Sequence, residues 1–147
     1  MNNWMRNTIV FGLLSVSSLA SAAQLDLIIG SKHSQSGTYV TTGEYVEFNE
    51  TNPGLMYTTD SNWVVGGYKN SFDKVTMLAG HSFETAESLV NAGIVVGLAT
   101  GYEQVTGRAI TPMAMPYVTL GPKAFRAKIG LLPGEISVVT FMLNVEI

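Results

Sequence analysis

The chain of 147 residues contains no cysteine, and this absence excludes several kinds of site. Disulfide bonds, zinc–thiolate centres and cysteine nucleophiles cannot form. Two histidines and scattered carboxylates do not have the spacing of metal ligands, so we expect no metal and no other cofactor. The calcium-loop, P-loop and G-x-S-x-G signatures are missing as well.

Charged residues are also scarce, at 13% of the chain, compared with about a quarter in a typical soluble domain. The net charge is −3, and a nucleic-acid partner is not expected because such a partner requires a basic surface. After residue 22 there is no long apolar run either. Low charge without such a run favours a β-barrel of an outer membrane.

The first 22 residues resemble a secretory signal peptide. An apolar run follows Arg6 and ends in the A-x-A cleavage pattern Ala20-Ser21-Ala22. The run is too short to span a membrane comfortably. We therefore expect export, a mature chain that starts at Ala23 or Gln24, and one domain over residues 23–147.

The mature region is predicted to be all-β. No part of it has the 3.6-residue periodicity of a long amphipathic helix, and turn signals recur about every 8 to 15 residues. The predicted strands cover about 25–33, 53–59, 63–70, 74–84, 92–102, 110–120, 124–132 and 136–147. In the long connection 34–52, the segment "TTGEYVEFNETNPG" is expected to extend the neighbouring strands.

The alternation of residues within the strands predicts which face meets lipid. In 92–102, Gly93, Gly97 and Gly101 share one face, and the opposite face is bulky and apolar and includes Tyr102. Small residues inside and large apolar ones outside suit a narrow membrane barrel. The prediction is an eight-stranded antiparallel up-and-down β-barrel. A soluble β-sandwich or lipocalin-like carrier would require the opposite sidedness.

Several side chains have predicted structural roles. Three inward residues, Arg126, Lys128 and Glu146, are expected to pair with one another, with Glu84 as a further partner. Aromatic residues at the ends of strands are expected to lie at the membrane interface, namely Trp63, Tyr68, and His81 with Phe83.

Strand counting assigns the connections to the two ends of the barrel. An even number of strands returns both termini to one side, which we expect to be the periplasm, together with turns 60–62, 85–91 and 121–123. The connections 34–52, 70–73, 103–109 and 133–135 then face outwards. His33, at the end of the first strand, therefore lies on the same rim as "YKNSFDK" at residues 68–74. On its own, Asn70-Ser71 is also a simple turn sequence.

This arrangement, together with four segments, resembles the lipid A palmitoyltransferase (PagP-type) family. The segments are "SKHS" with His33, "FNETNPG", "KNSFDK…LAGHSFE", and "TPMAMPYV" with Pro112 and Pro116. The resemblance covers most of residues 25–147. It implies a monomeric barrel in the outer membrane of a Gram-negative bacterium, with phospholipid and lipid A as its partners and acyl transfer between them as its activity.

The resemblance also implies roles for individual residues. His33 and Ser71 match the catalytic pair, and Asn70 occupies the position of the family's catalytic aspartate, where it would orient the histidine. Ser82 matches the glycine at the floor of the acyl-chain pocket, so a shorter chain is expected.

Four further residues are implied to contact the lipids. Pro112 and Pro116 would border the lateral entry of the phospholipid, because prolines weaken strand pairing. Lys69 and Lys74 flank the hairpin tip and would contact lipid A phosphates. Since Asn70 is not a carboxylate, the alternative is a non-catalytic outer-membrane barrel for surface binding or phage exclusion, including one that a phage encodes.

Overall fold

A computed structural model of the protein describes residues 23–85 and 89–147, and the predicted signal peptide lies outside these residues. Eight antiparallel strands close into a barrel in which β1 pairs with both β4 and β10. They are β1 (Gln24–His33), β4 (Gly54–Thr58), β5 (Trp63–Lys69), β6 (Val75–Glu84), β7 (Val90–Thr100), β8 (Ile110–Leu120), β9 (Phe125–Leu132) and β10 (Val138–Glu146). The predicted barrel and strand count are confirmed.

Within residues 23–85 and 89–147, the rest of the regular structure belongs to two connections. A four-residue helix, α1 (Glu103–Thr106), follows β7. Among the described residues, no helix is long and apolar enough to cross a membrane. Strands β2 (Gly37–Tyr39) and β3 (Tyr45–Glu47) pair with each other in a separate two-stranded sheet. The expectation that this segment extends the barrel strands is therefore wrong for Tyr45–Glu47, because these residues pair with β2 in a separate hairpin.

Within the described residues, the connections lie at the predicted ends of the barrel; residues 86–88 of the predicted turn 85–91 lie outside the described residues. The backbone N–H of Ile147 donates to the carbonyl of Ala23 at 2.9 Å, which places both ends of the described chain at what we call the terminal rim. The opposite end is called the His33 rim, and it carries the connections after β1, β5, β7 and β9.

The outer face of the barrel is apolar. Large exposed side chains from most strands form it, including Leu27, Ile29, Val65, Met77, Val96, Leu98, Val118, Ile129, Leu131 and Phe141. The inner face instead includes buried charged and amide groups such as Asp26, Arg126 and Asn144. This is the sidedness of a transmembrane barrel, and it excludes the lipocalin-like alternative.

The glycines on the inner face serve close packing. Gly80 and Gly97 are paired across β6 and β7, and a Cβ atom on Gly97 would lie 2.6 Å from the Gly80 Cα atom. A Cβ atom on Gly93 would lie 2.5 Å from the Tyr117 hydroxyl. The space beside these glycines is therefore already filled.

The inward charges form ion pairs near the terminal rim. Arg126 contacts Glu84 at 2.9 Å, and Lys128 contacts Asp26 at 2.7 Å. The inward orientation of Arg126 and Lys128 and the pairing with Glu84 are confirmed, but the predicted pairing of Glu146 with these cations is wrong. Glu146 is the last residue of β10 and approaches Lys123 in the adjacent turn at 3.8 Å.

The outward orientation predicted for the aromatic residues at the two ends of β5 is confirmed for Trp63 and wrong for Tyr68. Trp63 is exposed, and its ring lies 5.2 Å from that of His81, which in turn lies 4.7 Å from Phe83. Tyr68 has the opposite parity and points inwards, where its hydroxyl meets that of Tyr102 at 2.6 Å. Tyr102 was also expected outside, but Gly101 has φ +84°, which ends the strand alternation before it.

Candidate active site

The hairpin tip between β5 and β6 presents Ser71 to the first strand. The tip closes through the Asp73 N–H, which donates to the Asn70 carbonyl at 3.0 Å, and Asp73 has φ 60°. Ser71 then reaches across the His33 rim. Its Oγ lies 2.8 Å from His33 Nε2, although the two residues are 38 positions apart.

The segment between β3 and β4 holds the two sides of this contact together. Phe48 stacks on the His33 ring with centroids 4.2 Å apart, and it meets Phe72 edge-on at 5.5 Å. The Asn49 N–H donates to the Ser71 carbonyl at 2.8 Å. The geometry of the pair therefore depends on a loop that belongs to neither of its two residues.

Glu50 is the acidic residue beside His33, and sequence reasoning assigned it no role. Its carboxylate accepts a hydrogen bond from Lys32 Nζ at 2.9 Å and one from the His33 backbone N–H at 3.3 Å. The Glu50 Oε1 atom is 3.9 Å from His33 Nδ1. The segment "FNETNPG" contains Glu50, but the sequence of this segment does not show that Glu50 lies beside His33. That position depends on how the loop folds.

The protonation states of these groups suit acid–base chemistry. His33 is the last residue of β1 and lies past Ile29, the last outward apolar residue of that strand, so it is outside the membrane span. Burial lowers the pKa of His33, while Glu50 raises it and Lys32 lowers it. The hydrogen bond from Lys32 lowers the pKa of Glu50. At neutral pH the imidazole is therefore neutral and the carboxylate ionised.

A cleft of about 570 Å³ opens beside this pair. Its lining includes Lys32, His33, Glu47, Phe48 and Glu50. Within the described residues, no group of three or more histidines and carboxylates is arranged to hold a metal ion.

Asn70 does not orient His33, which corrects the role expected for it. Its Nδ2 donates to the Gly101 carbonyl at 2.7 Å and to Thr76 Oγ1 at 3.1 Å. Its Oδ1 accepts the backbone N–H groups of Phe72 and Lys74, both at 3.0 Å. These four bonds use the full capacity of the amide, so Asn70 is a buried brace of the hairpin tip.

Replacing Asn70 with aspartate is expected to destabilise the barrel, although aspartate is the residue found at this position in the lipid A palmitoyltransferase family that the sequence resembles. The new carboxylate oxygen would face the Gly101 carbonyl, and a buried polar atom without its partner costs about 1–3 kcal/mol. Urea unfolding in lipid vesicles measures the loss. Asn62→Asp, at an exposed turn with φ 64°, is the matched control. Equal stability of the two variants would contradict the bracing role.

Ser82 lies far from the Ser71–His33 pair, among polar groups of the interior. Its hydroxyl is 2.7 Å from that of Tyr117, which donates to Glu84 at 2.8 Å. Between Ser82 and the His33 rim, the barrel centre is occupied by a packed apolar cluster that includes Met56, Leu78, Val95, Met115 and Met142. The structure therefore does not bring Ser82 to the candidate site.

The two tip lysines are not equivalent. Lys69 forms an ion pair with Asp73 at 2.7 Å, and this contact lowers the pKa of Asp73. Lys74 is exposed and lies immediately before β6. Lys74 is thus the better placed of the two to meet an anionic group.

Pro112 and Pro116 lie beside a gap in the barrel wall. The β7–β8 ladder runs without a break from Val90–Leu120 to Thr100–Ile110. The β8–β9 ladder has only four pairs and ends at Tyr117–Gly130. Among the described residues, none of the β8 positions from Pro116 to the His33 rim pairs with β9. The gap therefore borders both prolines.

The comparisons with known proteins address the fold alone. No protein-family model matches the chain, and no curated protein matches it either. A solved structure described as "De novo design of transmembrane beta-barrels" is similar with a TM-score of 0.56 and 12% identity, over 86% of this chain and 96% of that one. The chain therefore has a closed eight-stranded antiparallel fold of the transmembrane β-barrel type.

Proposed function

We propose that the protein is an outer-membrane acyltransferase of a Gram-negative bacterium, exported by its signal peptide. Its reaction moves a fatty acyl chain from a phospholipid to lipid A or a related glycolipid. The observation that carries this proposal is the 2.8 Å contact between Ser71 Oγ and His33 Nε2 at one rim of a lipid-exposed barrel. A serine and a neutral histidine at this distance form a nucleophile and its base.

The reaction proceeds in two balanced steps. His33 Nε2 takes the Ser71 proton while Oγ attacks the ester carbonyl of the phospholipid, and the same proton then passes to the departing alkoxide of the lysophospholipid. In the second step, His33 takes the proton of an acceptor hydroxyl, which attacks the acyl-serine. The proton returns to Ser71 Oγ as the new ester leaves.

Lipid reaches the site through the gap between β8 and β9. Unpaired strand edges are unfavourable in hydrocarbon unless something covers them. At this gap, Pro112 and Pro116 lack the backbone N–H groups that would otherwise need partners. A phospholipid chain would therefore enter laterally at the His33 rim, and Lys74, which is exposed on the same rim, would contact a phosphate.

The acyl chain extends from Ser71 into the barrel. Phe72 and Tyr102, whose rings are 6.5 Å apart, form an apolar path from the tip towards the interior. Below them the chain displaces Met56, Met115 and Met142, since methionine side chains are flexible and rearrange readily. Ser82, whose hydroxyl is hydrogen-bonded to that of Tyr117, limits the depth of the acyl-chain pocket. The pocket therefore favours a shorter acyl chain than it would with glycine at this position.

Expression of the full chain in a Gram-negative strain without its own lipid A acyltransferase tests the proposal. Mass spectrometry of lipid A is expected to show a new species heavier by one acyl chain. The protein is expected in the outer-membrane fraction with heat-modifiable mobility on a gel. Unchanged lipid A in cells with a folded, membrane-located protein would overturn the enzymatic function. Recovery only from the soluble periplasm would overturn the location.

Two observations favour the alternative of a non-catalytic barrel for surface binding or phage exclusion. The barrel centre is packed with side chains. In addition, Tyr39 and Tyr45 of the β2–β3 hairpin form an exposed aromatic pair 5.2 Å apart, and exposed tyrosines are common in binding surfaces. Unchanged lipid A together with loss of surface binding in Tyr39→Ser would support this alternative.

A further inference from the structure

The Nδ1 atom of His33 is buried and has no hydrogen-bond partner within the described residues. The nearest acidic oxygen is Glu50 Oε1 at 3.9 Å, which is too long for a hydrogen bond. When Nε2 accepts the Ser71 proton, the ring hydrogen of the neutral imidazole must reside on Nδ1. The base role of His33 therefore places an N–H group beside this carboxylate.

We infer that Glu50 is the positioning residue of the site: it accepts a hydrogen bond from His33 Nδ1–H and thereby holds Nε2 towards Ser71. This inference rests on the proposed acyl transfer. The role expected for position 70 thus belongs to a residue from another loop. A modest rotation of the Glu50 side chain closes the 3.9 Å separation, and catalytic hydrogen bonds are commonly long before substrate binds.

The backbone of Glu50 is fixed directly against the strand that carries His33. The Ser31 N–H donates to the Glu50 carbonyl at 2.9 Å. A Cβ atom at Gly30 would lie 2.7 Å from the same carbonyl oxygen, so this approach requires glycine. The register of β1 against β10 also shifts between Ile28 and Gly30. Glu50 is therefore held at the end of the strand, where only its side chain has to move.

The charge balance of the reaction gives Glu50 its effect. When His33 takes the Ser71 proton it becomes a cation, and its own ring hydrogen stays on Nδ1. Glu50 remains ionised throughout and stabilises this cation, as the carboxylate of a Ser-His-Asp triad does. Lys32 binds the other carboxylate oxygen at 2.9 Å and fixes its orientation.

The groups that surround His33 allow a clear expectation for its titration. Glu50 and Lys32 are the charged groups acting on its ring, and the nearby Lys69 and Asp73 neutralise each other. Glu50 raises the pKa of His33, whereas Lys32 lowers it. Glu50→Gln should therefore shift the titration of His33 to lower pH.

NMR titration of the full chain in micelles, with labelled histidine, measures this directly. His33 and His81 are the two histidines, and His81 serves as the internal reference. Glu47→Gln is the matched control for the titration, because Glu47 lines the same cleft but is not among the charged groups that act on the pKa of His33. A downward shift of His33 in Glu50→Gln, with no shift in Glu47→Gln, is expected. Identical His33 titrations in the two variants would overturn the inference.

Kinetics on phospholipid vesicles containing lipid A add the second readout. Glu50→Gln should lower kcat by roughly 10²- to 10⁴-fold with little change in KM. The midpoint of the rise in its pH–activity profile should lie at a lower pH than that of the wild type. Glu50→Asp should restore part of kcat. If the wild type is inactive but the expected NMR shift is observed, acyl transfer is refuted and the contact between Glu50 and His33 is still supported. An active wild type with a fully active Glu50→Gln would refute the positioning role.

Discussion

Ser71→Ala is expected to abolish the lipid A modification while the barrel still folds. The substitution removes the nucleophile and its 2.8 Å contact with His33, and the hydrogen bond to the Ser71 carbonyl remains. Loss of a catalytic serine lowers kcat by about 10⁶-fold in a serine hydrolase, so no acylated species should be detectable. Mass spectrometry of lipid A measures the loss, and heat-modifiable mobility verifies the fold.

The controls for this result come from the same rim. Ser36→Ala removes a hydroxyl from the same cleft, one that lies 3.2 Å from the Tyr45 hydroxyl, and it should leave the modification intact. His33→Ala should be as inactive as Ser71→Ala, and the double variant should be no worse, because the two residues act as a unit. Persistent acylation by Ser71→Ala would assign the reaction to another group.

Asp26→Ala is expected to cause the largest loss of stability. Asp26 and Lys128 are both buried, and the carboxylate also accepts a hydrogen bond from Asn144 Nδ2 at 2.7 Å. Removing one member of a buried ion pair leaves an uncompensated charge and costs about 3–5 kcal/mol. Urea unfolding in lipid vesicles should show this loss in the free energy of unfolding.

Two further variants separate this effect from a general sensitivity of the barrel. Glu146→Gln breaks a partly exposed pair with a separation of 3.8 Å and should cost less than about 1 kcal/mol. Asp26→Leu combined with Lys128→Met removes both charges, and it should recover most of the lost stability. A loss below about 1 kcal/mol in Asp26→Ala would show that water or a rearranged neighbour satisfies Lys128.

Strand periodicity carried most of the fold prediction, and its failures have local causes. Alternation placed Arg126 and Lys128 inside correctly because a strand has a strict period of two. The same alternation puts Trp63 and Tyr68 on opposite faces of β5, so the two rings cannot both point outwards. Tyr102 was misplaced because the left-handed backbone of Gly101 lies outside any periodic pattern.

The candidate site was predictable only in part. His33 and the hairpin tip follow the first and third barrel strands, which run in the same direction in any antiparallel up-and-down barrel, so the sequence could bring Ser71 to the same rim as His33. The role of Asn70 depends on where its amide points, and the barrel offers it the Gly101 carbonyl instead of the imidazole. Glu50 belongs to a long connection whose path no local pattern encodes.

The sequence by itself determined the closed all-β architecture, the side that faces lipid, and the rim at which Ser71 and His33 meet. These properties follow from alternation and strand number, which are local and additive along the chain. Only the tertiary structure decided that Asn70 braces the tip, that Asp26 neutralises Lys128, and that Glu50 lies beside His33. Such contacts join distant segments, and competition among all nearby hydrogen-bond partners selects them.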